Sequence, residues 1–240
     1  MKKEVLLMYS GGLDSVLSCI RLIRDGYKVY LIHFDNGSSI GSENIQVGAQ
    51  RLINRFRDDV EYLGIASTAS YFLNYRGMVN IENLNAKELY EKYGKISISQ
   101  CRCLLCRMAM YTYSIALARK MGISYIAEGA RESQLFAIEQ NVLLNEFRDL
   151  CKKFDIELLT PVIDVVDDYE KENEIFMWDH NLGAYESKCL LGFPMDKKLT
   201  QEELDDIKEF YKNIKYLQEK DIIEKRVVIN KLPKDRVTWY

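Results

Sequence analysis

The sequence predicts an α/β fold, in which a Rossmann-like, doubly wound parallel sheet is followed by a helical C-terminal appendage. Short apolar runs alternate with helical patterns over the first 65 residues, and such alternation favours right-handed crossovers between parallel strands. The length of 240 residues suits one large domain with a small addition. We assign the domain to residues 1–195 and a helical, basic appendage to residues 196–240.

Two strand–helix pairs and a third strand are predicted at the N-terminal end. The strands are short, continuous apolar runs, which are typical of parallel strands buried on both faces. The helices carry apolar residues at helical spacing. In chain order these elements are a strand at 5–9, a helix at 14–25, a strand at 28–34, a helix at 43–57 and a strand at 60–65.

The rest of the chain is less regular at first. Residues 66–100 carry no clear pattern, so we predict no element there. A capping box formed by Thr200 and Glu203 opens a last helix, whose apolar face runs from Leu204 to Leu217. Between these regions the pattern predicts a long helix at 103–121, a strand at 125–127, a helix at 136–153, a strand at 157–159 and a helix at 168–178.

Composition and charge narrow the functional classes. A net charge of −3 disfavours a protein that coats nucleic acid by bulk charge. The apolar run at the N-terminus is too short for a signal peptide, and no stretch approaches the length of a membrane span. We therefore expect a cytoplasmic protein with no membrane contact, whose six cysteines serve metal or redox chemistry rather than a disulfide framework.

The most informative motif is SGGLDS at residues 10–15, where the first strand gives way to a helix. Ligands bind at the carboxyl ends of parallel strands, glycines allow close approach of an anion, and the free N–H groups of a helix start attract it. A glycine-rich turn with a helix cap is the structural alternative. Asp14 would repel a phosphate unless a cation lies between them, which indicates Mg²⁺ or a capping role. The residues expected at the phosphates are Ser10, Gly11, Gly12, Asp14 and Ser15.

This motif resembles the phosphate loop of the PP-loop ATP pyrophosphatase superfamily, most clearly over residues 4–37. The resemblance implies an adenine nucleotide alpha hydrolase (HUP-like) fold, bound ATP, attack of a substrate oxygen on the α-phosphate, and displacement of AMP by a nucleophile. It implies a catalytic role for Asp14 and an adenine contact from the backbone of Phe34. In the segment EGARESQ at 128–134, it places Gly129 and Arg131 beside the nucleotide. Thiolating members more often carry an Asp-rich version of this segment.

The cysteines are unevenly placed. Cys103 and Cys106 form a C-x2-C close to the predicted helix start, where the helix dipole with Arg102 and Arg107 would favour thiolates. Cys101 lies beside this pair, and Cys189 follows much later. We expect Cys19 and Cys151 to be small buried hydrophobic residues.

Three uses of these thiols remain open. Several tRNA thiolases of the superfamily hold a [4Fe–4S] cluster with a C-x2-C and a distant cysteine, and this resemblance favours Cys103, Cys106 and Cys189 as metal ligands. A structural Zn²⁺ with Cys101 as the fourth ligand is the second use. The third is catalysis by Cys106 and Cys189, with one carrying a persulfide and the other resolving it as a disulfide.

The sequence thus favours ATP-dependent adenylation of a carbonyl oxygen followed by sulfur transfer, with a tRNA base as the expected acceptor. The alternatives are nitrogen transfer of the 7-cyano-7-deazaguanine synthase type, with zinc, and a non-catalytic nucleotide- or metal-binding protein. The expected partners are ATP, a tRNA or other nucleobase substrate and a sulfur donor; a homodimer is left open. Two charged stretches are interpreted as surface features. The first is an acidic run, for which Mg²⁺ binding is the alternative, and it consists of Asp164, Asp167, Asp168, Glu170, Glu172 and Glu174. The second is a basic tail, for which RNA binding is the alternative, and it consists of Lys225, Arg226, Lys231, Lys234 and Arg236 with Trp239 and Tyr240.

Overall fold

The computed structural model describes residues 2–80, 83, 86–94, 97–134, 136–190 and 198–224. Its elements alternate between strand and helix as the sequence predicts. In chain order they are β1 (Lys3–Met8), α1 (Leu13–Arg24), β2 (Tyr27–Asp35), β3 (Ser39–Ile40), α2 (Asn44–Phe56), β4 (Val60–Ser67), α3 (Ala69–Val79), α4 (Ala86–Tyr93), α5 (Ile98–Met121), β5 (Tyr125–Glu128), α6 (Asn141–Lys152), β6 (Glu157–Leu159), α7 (Asp168–Trp178), β7 (Lys188–Cys189), α8 (Gln201–Ile214) and α9 (Tyr216–Ile223).

Five of the strands form one parallel sheet in the order β4-β2-β1-β5-β6. In this sheet β2 and β4 lie to one side of β1, whereas β5 and β6, which come later in the chain, lie to its other side. The strand order therefore reverses between β1 and β5, and open α/β sheets bind ligands in the crevice at such a switch point. The predicted α/β fold class is confirmed, and the segments that follow β1 and β5 are brought together.

Both faces of the sheet are buried, because successive strand residues point to opposite sides. One layer consists of α1, α2 and α7, and the other of α3, α5, α6, α8 and α9. The first layer covers Val5, Leu7, Val29 and Leu31. The second covers Leu6, Met8, Tyr30 and Ile32.

Two helix boundaries differ from the sequence prediction. The long helix α5 begins at Ile98 rather than at 103, because the Ser97 side chain accepts a hydrogen bond from the Gln100 amide and caps an earlier turn. The helix predicted at 136–153 begins only at Asn141, after a separate 3₁₀ turn at Ala137–Glu139.

Residues 66–100, for which no element was predicted, contain α3 and α4. In α3, Phe72 and Tyr75 are buried, whereas Leu73 and Met78 are more than half exposed. Because apolar residues lie on both sides of α3, the sequence does not show the helical spacing of apolar residues by which a buried face is recognised.

The helices after residue 198 pack into the same apolar core as the sheet. Phe210 and Tyr211 of α8 lie in one cluster with Phe147 of α6, and the Tyr211 ring is tilted against it at 5.0 Å. The predicted capping box is present, since Thr200 and Glu203 each bond the other's backbone amide. The basic tail lies outside the described residues. Within the described part of the chain, no helix is long and apolar enough to cross a membrane.

Candidate active site

A cavity of about 570 Å³ opens at the carboxyl ends of β1, β2 and β5. Its volume falls within the range of small-molecule sites. Every residue predicted at the phosphates except Gly11 lines it, as do Phe34, Gly129 and Arg131. The structure therefore brings these residues together at one cavity, and the role of each stays a prediction.

The phosphate loop has the geometry that its glycines suggest. Gly11 has a φ of +82°, a conformation that side chains rarely allow. The Gly12 carbonyl accepts bonds from the Ser15 amide at 3.0 Å and from the Ser15 hydroxyl at 2.8 Å, which fixes the first turn of α1. The Gly12 amide donates to Ser10 Oγ at 3.2 Å. The loop therefore presents the start of a helix to the cavity, as an anion site requires.

Gly129 packs against the same turn. A Cβ added at this position would lie 2.9 Å from the backbone carbon of Asp14 and 2.9 Å from the amide nitrogen of Ser15. Backbone cannot give way as a flexible side chain can, so glycine is required for β5 to approach the loop this closely.

Four charged residues form a cluster at one wall of the cavity. Arg131 Nε lies 2.9 Å from Asp14 Oδ1 and its Nη1 lies 2.8 Å from Asp168 Oδ1. Lys171 Nζ lies 3.0 Å from the same Asp14 oxygen and 2.9 Å from Asp168 Oδ1. Arg131 and Lys171 are each only 6% exposed. Two buried cations are thus held beside the phosphate loop by carboxylates.

The contact between Arg131 and Asp14 is an ion pair without hydrogen-bond alignment. Arg131 Nε and Asp14 Oδ1 are both buried and lack an aligned partner within the described residues. A buried polar atom without a hydrogen-bond partner costs free energy, and at binding sites a ligand often supplies that partner. Arg131 is therefore a buried residue of the cavity wall and not part of a surface ion pair.

A second buried network lies deeper in the cavity wall. Glu128, 1% exposed, accepts hydrogen bonds from Arg107 and from the Tyr111 hydroxyl. Glu139 lies beyond it, with Oε1 4.0 Å from Arg107 Nη2. Burial raises the pKa of Glu139 to about 7. The carboxyl group of Glu139 is thus poised to exchange a proton near neutral pH.

Residues 184–189, which we call the strap, run across the phosphate loop. The Tyr185 amide donates to the Gly11 carbonyl at 2.7 Å, and a Cβ added at Gly12 would lie 2.6 Å from Glu186 Oε2. The strap ends in β7, which pairs with β3 in antiparallel fashion so that Cys189 lies opposite Ser39. The strap therefore brings Cys189 to the site from far along the chain.

Cys106 and Cys189 both line the large cavity. With Cys103, they also line a smaller adjoining cavity of about 140 Å³. Cys106 Sγ accepts a hydrogen bond from Asn36 Nδ2 at 3.1 Å, and Cys189 is exposed. In the described part of the chain, no three Cys, His, Asp or Glu side chains are arranged to hold a metal ion.

The expectation of thiolates at this C-x2-C is wrong for the free protein. Burial raises the pKa of Cys103 to about 11, and it also raises the pKa of Cys106 although Asn36 and Arg107 act in the opposite direction. Since α5 begins at Ile98, neither thiol lies at the helix start where the dipole would help. Burial outweighs the nearby arginine.

The remaining cysteines and His33 occupy the interior. Cys19 and Cys151 are fully buried, as predicted. Cys101 lies in the apolar core and does not line the cavity shared by the other thiols, so the geometry gives no support to a zinc site with Cys101 as a ligand. The His33 ring bonds the Tyr9 carbonyl at 3.0 Å, and burial lowers its pKa.

Sequence reasoning missed Lys171 and Glu139. Lys171 lies within the acidic run that was interpreted as a solvated helix turn. Asp167 does cap that helix, but Asp168 pairs with two cavity cations and Glu174 pairs with Arg21 at 2.7 Å. A lone lysine among acidic residues at a helix start is the signal that was available in the sequence.

Comparison with known proteins gives one family match and several relatives. A family model described as thiamine biosynthesis protein (ThiI) matches residues 1–191. The chain is 27% identical over 153 residues to a tRNA-specific 2-thiouridylase MnmA 1 of Syntrophus aciditrophicus (strain SB), an alignment that covers 63% of this chain and 39% of that protein.

A solved structure of a 4-thiouridine synthetase–RNA complex with bound ATP has a similar fold. Its TM-score is 0.58 at 13% sequence identity, and the match covers 92% of this chain and 53% of that chain. At this identity the likeness concerns the fold alone. The chain thus spans about half the length of the structural relative and less than half that of the curated one.

Proposed function

We propose, from the premise that the chain belongs to the ThiI family, that it is an AMP-forming ATP pyrophosphatase that thiolates a uridine in tRNA. The observation that carries this proposal is the shared cavity: the SGGLDS loop, Cys106 and Cys189 all line it. An ATP site and two thiols in one cavity are what an enzyme needs to activate a carbonyl oxygen and replace it with sulfur.

The first half of the reaction uses the phosphate loop. Pyrophosphate lies at the start of α1, and Arg131 and Lys171 supply positive charge beside it. ATP brings its own Mg²⁺, which usually binds one or two carboxylates together with phosphates. Asp14 would be the carboxylate that holds it, because Asp14 lines the cavity at the phosphate loop. The uridine carbonyl oxygen attacks the α-phosphate, and pyrophosphate leaves.

The second half uses the two cysteines. Cys189 is exposed, so it can receive a sulfane sulfur from a donor as a persulfide. The terminal sulfur attacks the activated carbon and AMP leaves with the oxygen. Cys106 then attacks Cys189 Sγ, a Cys106–Cys189 disulfide forms, and sulfur remains on the base. An external thiol reduces the disulfide before the next cycle.

The names of the relatives support uridine in tRNA as the substrate, since one is a tRNA-specific 2-thiouridylase and the other a 4-thiouridine synthetase bound to RNA. Because the chain spans only part of each relative, RNA recognition and sulfur delivery are included in the proposal. Nitrogen transfer with structural zinc has less support, because Cys101 lies apart from the other thiols.

The direct test measures pyrophosphate release from ATP with and without unmodified tRNA. We expect release to require the RNA, and to fall at least ~100-fold in Asp14→Asn because the carboxylate no longer positions Mg²⁺ and the phosphates. ATP affinity itself should change far less. Asp59→Asn is the matched control, since Asp59 is half-buried and paired with Lys2 but lies outside the cavity, and it should stay within ~3-fold of wild type. Equal release by Asp14→Asn and wild type would defeat the assignment of the phosphate loop.

An iron–sulfur cluster is the second proposal for the thiols. It is supported by the small cavity that Cys103, Cys106 and Cys189 share. As they stand, these thiols do not fit a metal site, because no three potential ligands in the described residues are close enough to share an ion. A cluster would require them to move together, and we derive no step through it.

Anaerobic purification tests the cluster. A brown protein with a broad visible absorbance band, containing iron and sulfide and bleached by Cys103→Ala, would establish it. From the separation of the thiols we expect a colourless protein instead. A brown preparation would overturn that expectation and with it the persulfide route.

A further inference from the structure

Glu139 occupies a distinctive place in the active-site wall. It ends the 3₁₀ turn Ala137–Glu139 and its side chain lines the large cavity. Its Oε2 atom is buried and has no hydrogen-bond partner within the described residues. A buried carboxylate oxygen without a donor is costly, so its presence at a cavity indicates that a ligand supplies the missing donor.

The neighbouring charges leave Glu139 only partly neutralised. Arg107 of α5 is the nearest cation at 4.0 Å, but Arg107 is bonded to Glu128 of β5. Asp14 of α1 and Glu128 repel the ionised form of Glu139, while Arg107 and Arg131 favour it. The thiol of Cys103, also on α5, interacts with Glu139 as well. Burial is the largest influence and raises the pKa of Glu139 to about 7.

The other acidic residues of the cavity are differently placed. Asp14 and Asp168 are within 3.0 Å of Lys171. Glu186 is exposed and lies against Gly12 on the strap. Among the carboxyl groups lining the cavity, Glu139 differs from Asp14 and Asp168 in having no cation closer than 4.0 Å in the described residues, and from Glu186 in being largely buried.

The chemistry of adenylation calls for a proton acceptor. When the carbonyl oxygen of a uracil ring forms a bond to the α-phosphate and pyrophosphate leaves, the ring N–H next to that carbonyl must lose its proton, since its electron pair becomes the C=N bond of the activated base. After sulfur replaces oxygen, the same nitrogen must regain a proton to give the neutral thiocarbonyl.

We propose that Glu139 accepts this ring N–H proton during adenylation and returns it after sulfur transfer. The carboxylate of Glu139 is the accepting group. The inference rests on the proposed function and assigns a general base to it. It also fixes the substrate class as a base with an N–H beside the reacting carbonyl, such as uracil, because a ring nitrogen without hydrogen has nothing to donate to Glu139.

His33 is the rival proton acceptor. It lines the same cavity, and its Nε2 atom is buried without a partner in the described residues. It lies on β2 beside the expected adenine site at Phe34, however, and its Nδ1 bonds the Tyr9 carbonyl next to the phosphate loop. Glu139 instead interacts with Arg107 and with the thiol of Cys103, and the base must reach sulfur as well as the α-phosphate.

The experiment is single-turnover adenylation of unmodified tRNA by the full chain, with ATP labelled at the α-phosphate and the sulfur donor omitted, from pH 5.5 to pH 9. The wild-type rate should rise through about pH 7, as Glu139 ionises, and then level off. Glu139→Gln should be at least ~100-fold slower at pH 8 and should lose the inflection near pH 7. His33→Gln should keep that inflection.

Two controls separate catalysis from folding and binding. Glu146→Gln removes a carboxyl of similar burial outside the cavity and should leave the rate within ~3-fold of wild type. Glu139→Gln should bind ATP as wild type does. At pH 8.5 the thermal midpoint of Glu139→Gln should be higher than that of wild type, because wild type holds a buried charge there. At pH 4 the two midpoints should be equal, because the Glu139 carboxyl is then protonated in both the folded and the unfolded chain.

A rate for Glu139→Gln within ~3-fold of wild type, or an unchanged pH profile, would overturn the role of Glu139 while leaving the proposed function intact. Loss of the inflection in His33→Gln instead would transfer the role to His33 and likewise overturn the proposal. If wild type forms no adenylated RNA at any pH, the proposed function fails, and the role of Glu139 fails with it.

Discussion

Cys106→Ser and Cys189→Ser should each reduce thiolation of tRNA by at least ~1,000-fold while leaving adenylation within ~3-fold of wild type. Serine cannot carry a persulfide or form a disulfide, so the reaction stops after AMP has been attached. Cys106 and Cys189 line the cavity with the phosphate loop but contribute no cation to it, so ATP should still react. The measurement is the amount of thiolated uridine and of adenylated RNA formed by each variant.

Cys103→Ser is the discriminating control. Cys103 lines only the smaller cavity, so on the persulfide route it should retain thiolation within ~3-fold under reducing conditions. A loss in Cys103→Ser as large as in Cys106→Ser would show that the three thiols act as one set, as cluster ligands would. Full thiolation by Cys189→Ser would contradict both routes.

Lys171→Met should weaken ATP binding by about 100-fold. The ammonium group lies 3.0 Å from Asp14, so it neutralises a carboxylate that would otherwise repel the phosphates of ATP. Methionine fills a similar volume but leaves Arg131 as the cation nearest Asp14 at this wall. Equilibrium titration with ATP measures the loss, and RNA-dependent pyrophosphate release should fall with it.

Lys212→Met is the control for Lys171→Met, because Lys212 lies outside the cavity on α8 and pairs with Glu209 at 2.8 Å. ATP affinity of this variant should equal that of wild type. If Lys171→Met binds ATP as tightly as wild type, the charge cluster serves to hold α7 in place rather than to bind the nucleotide.

The sheet was predictable because each of its strands is a short apolar run, and buried parallel strands need little else. The strand at 157–159 and the helix at 168–178 were located to the residue. The phosphate loop was predictable because a local motif, SGGLDS, places the glycines and the helix start within a few residues of each other. The apolar runs and the SGGLDS motif each consist of residues adjacent in the chain, so both can be recognised in a single sequence.

The rest of the site depends on contacts between distant residues. Lys171 reaches the site only because α7 packs beside α1, which brings its ammonium group to Asp14. The pKa of Glu139 depends on burial by surrounding elements. The raised pKa values of Cys103 and Cys106 depend on burial as well, whereas the expected helix start and the nearby arginines predicted thiolates. The spacing of residues along the chain does not show which side chains become buried, so these protonation states could not be predicted from the sequence.

The strap has a consequence for how the protein is made. Tyr185 closes over Gly11, and the two residues are separated by most of the folded chain. During synthesis the phosphate loop emerges long before residues 184–189, so one wall of its cavity does not exist until the strap has left the ribosome. A fragment that stops before the strap would keep every strand of the parallel sheet and lose Cys189, so the shortest fragment worth assaying must extend through residue 190.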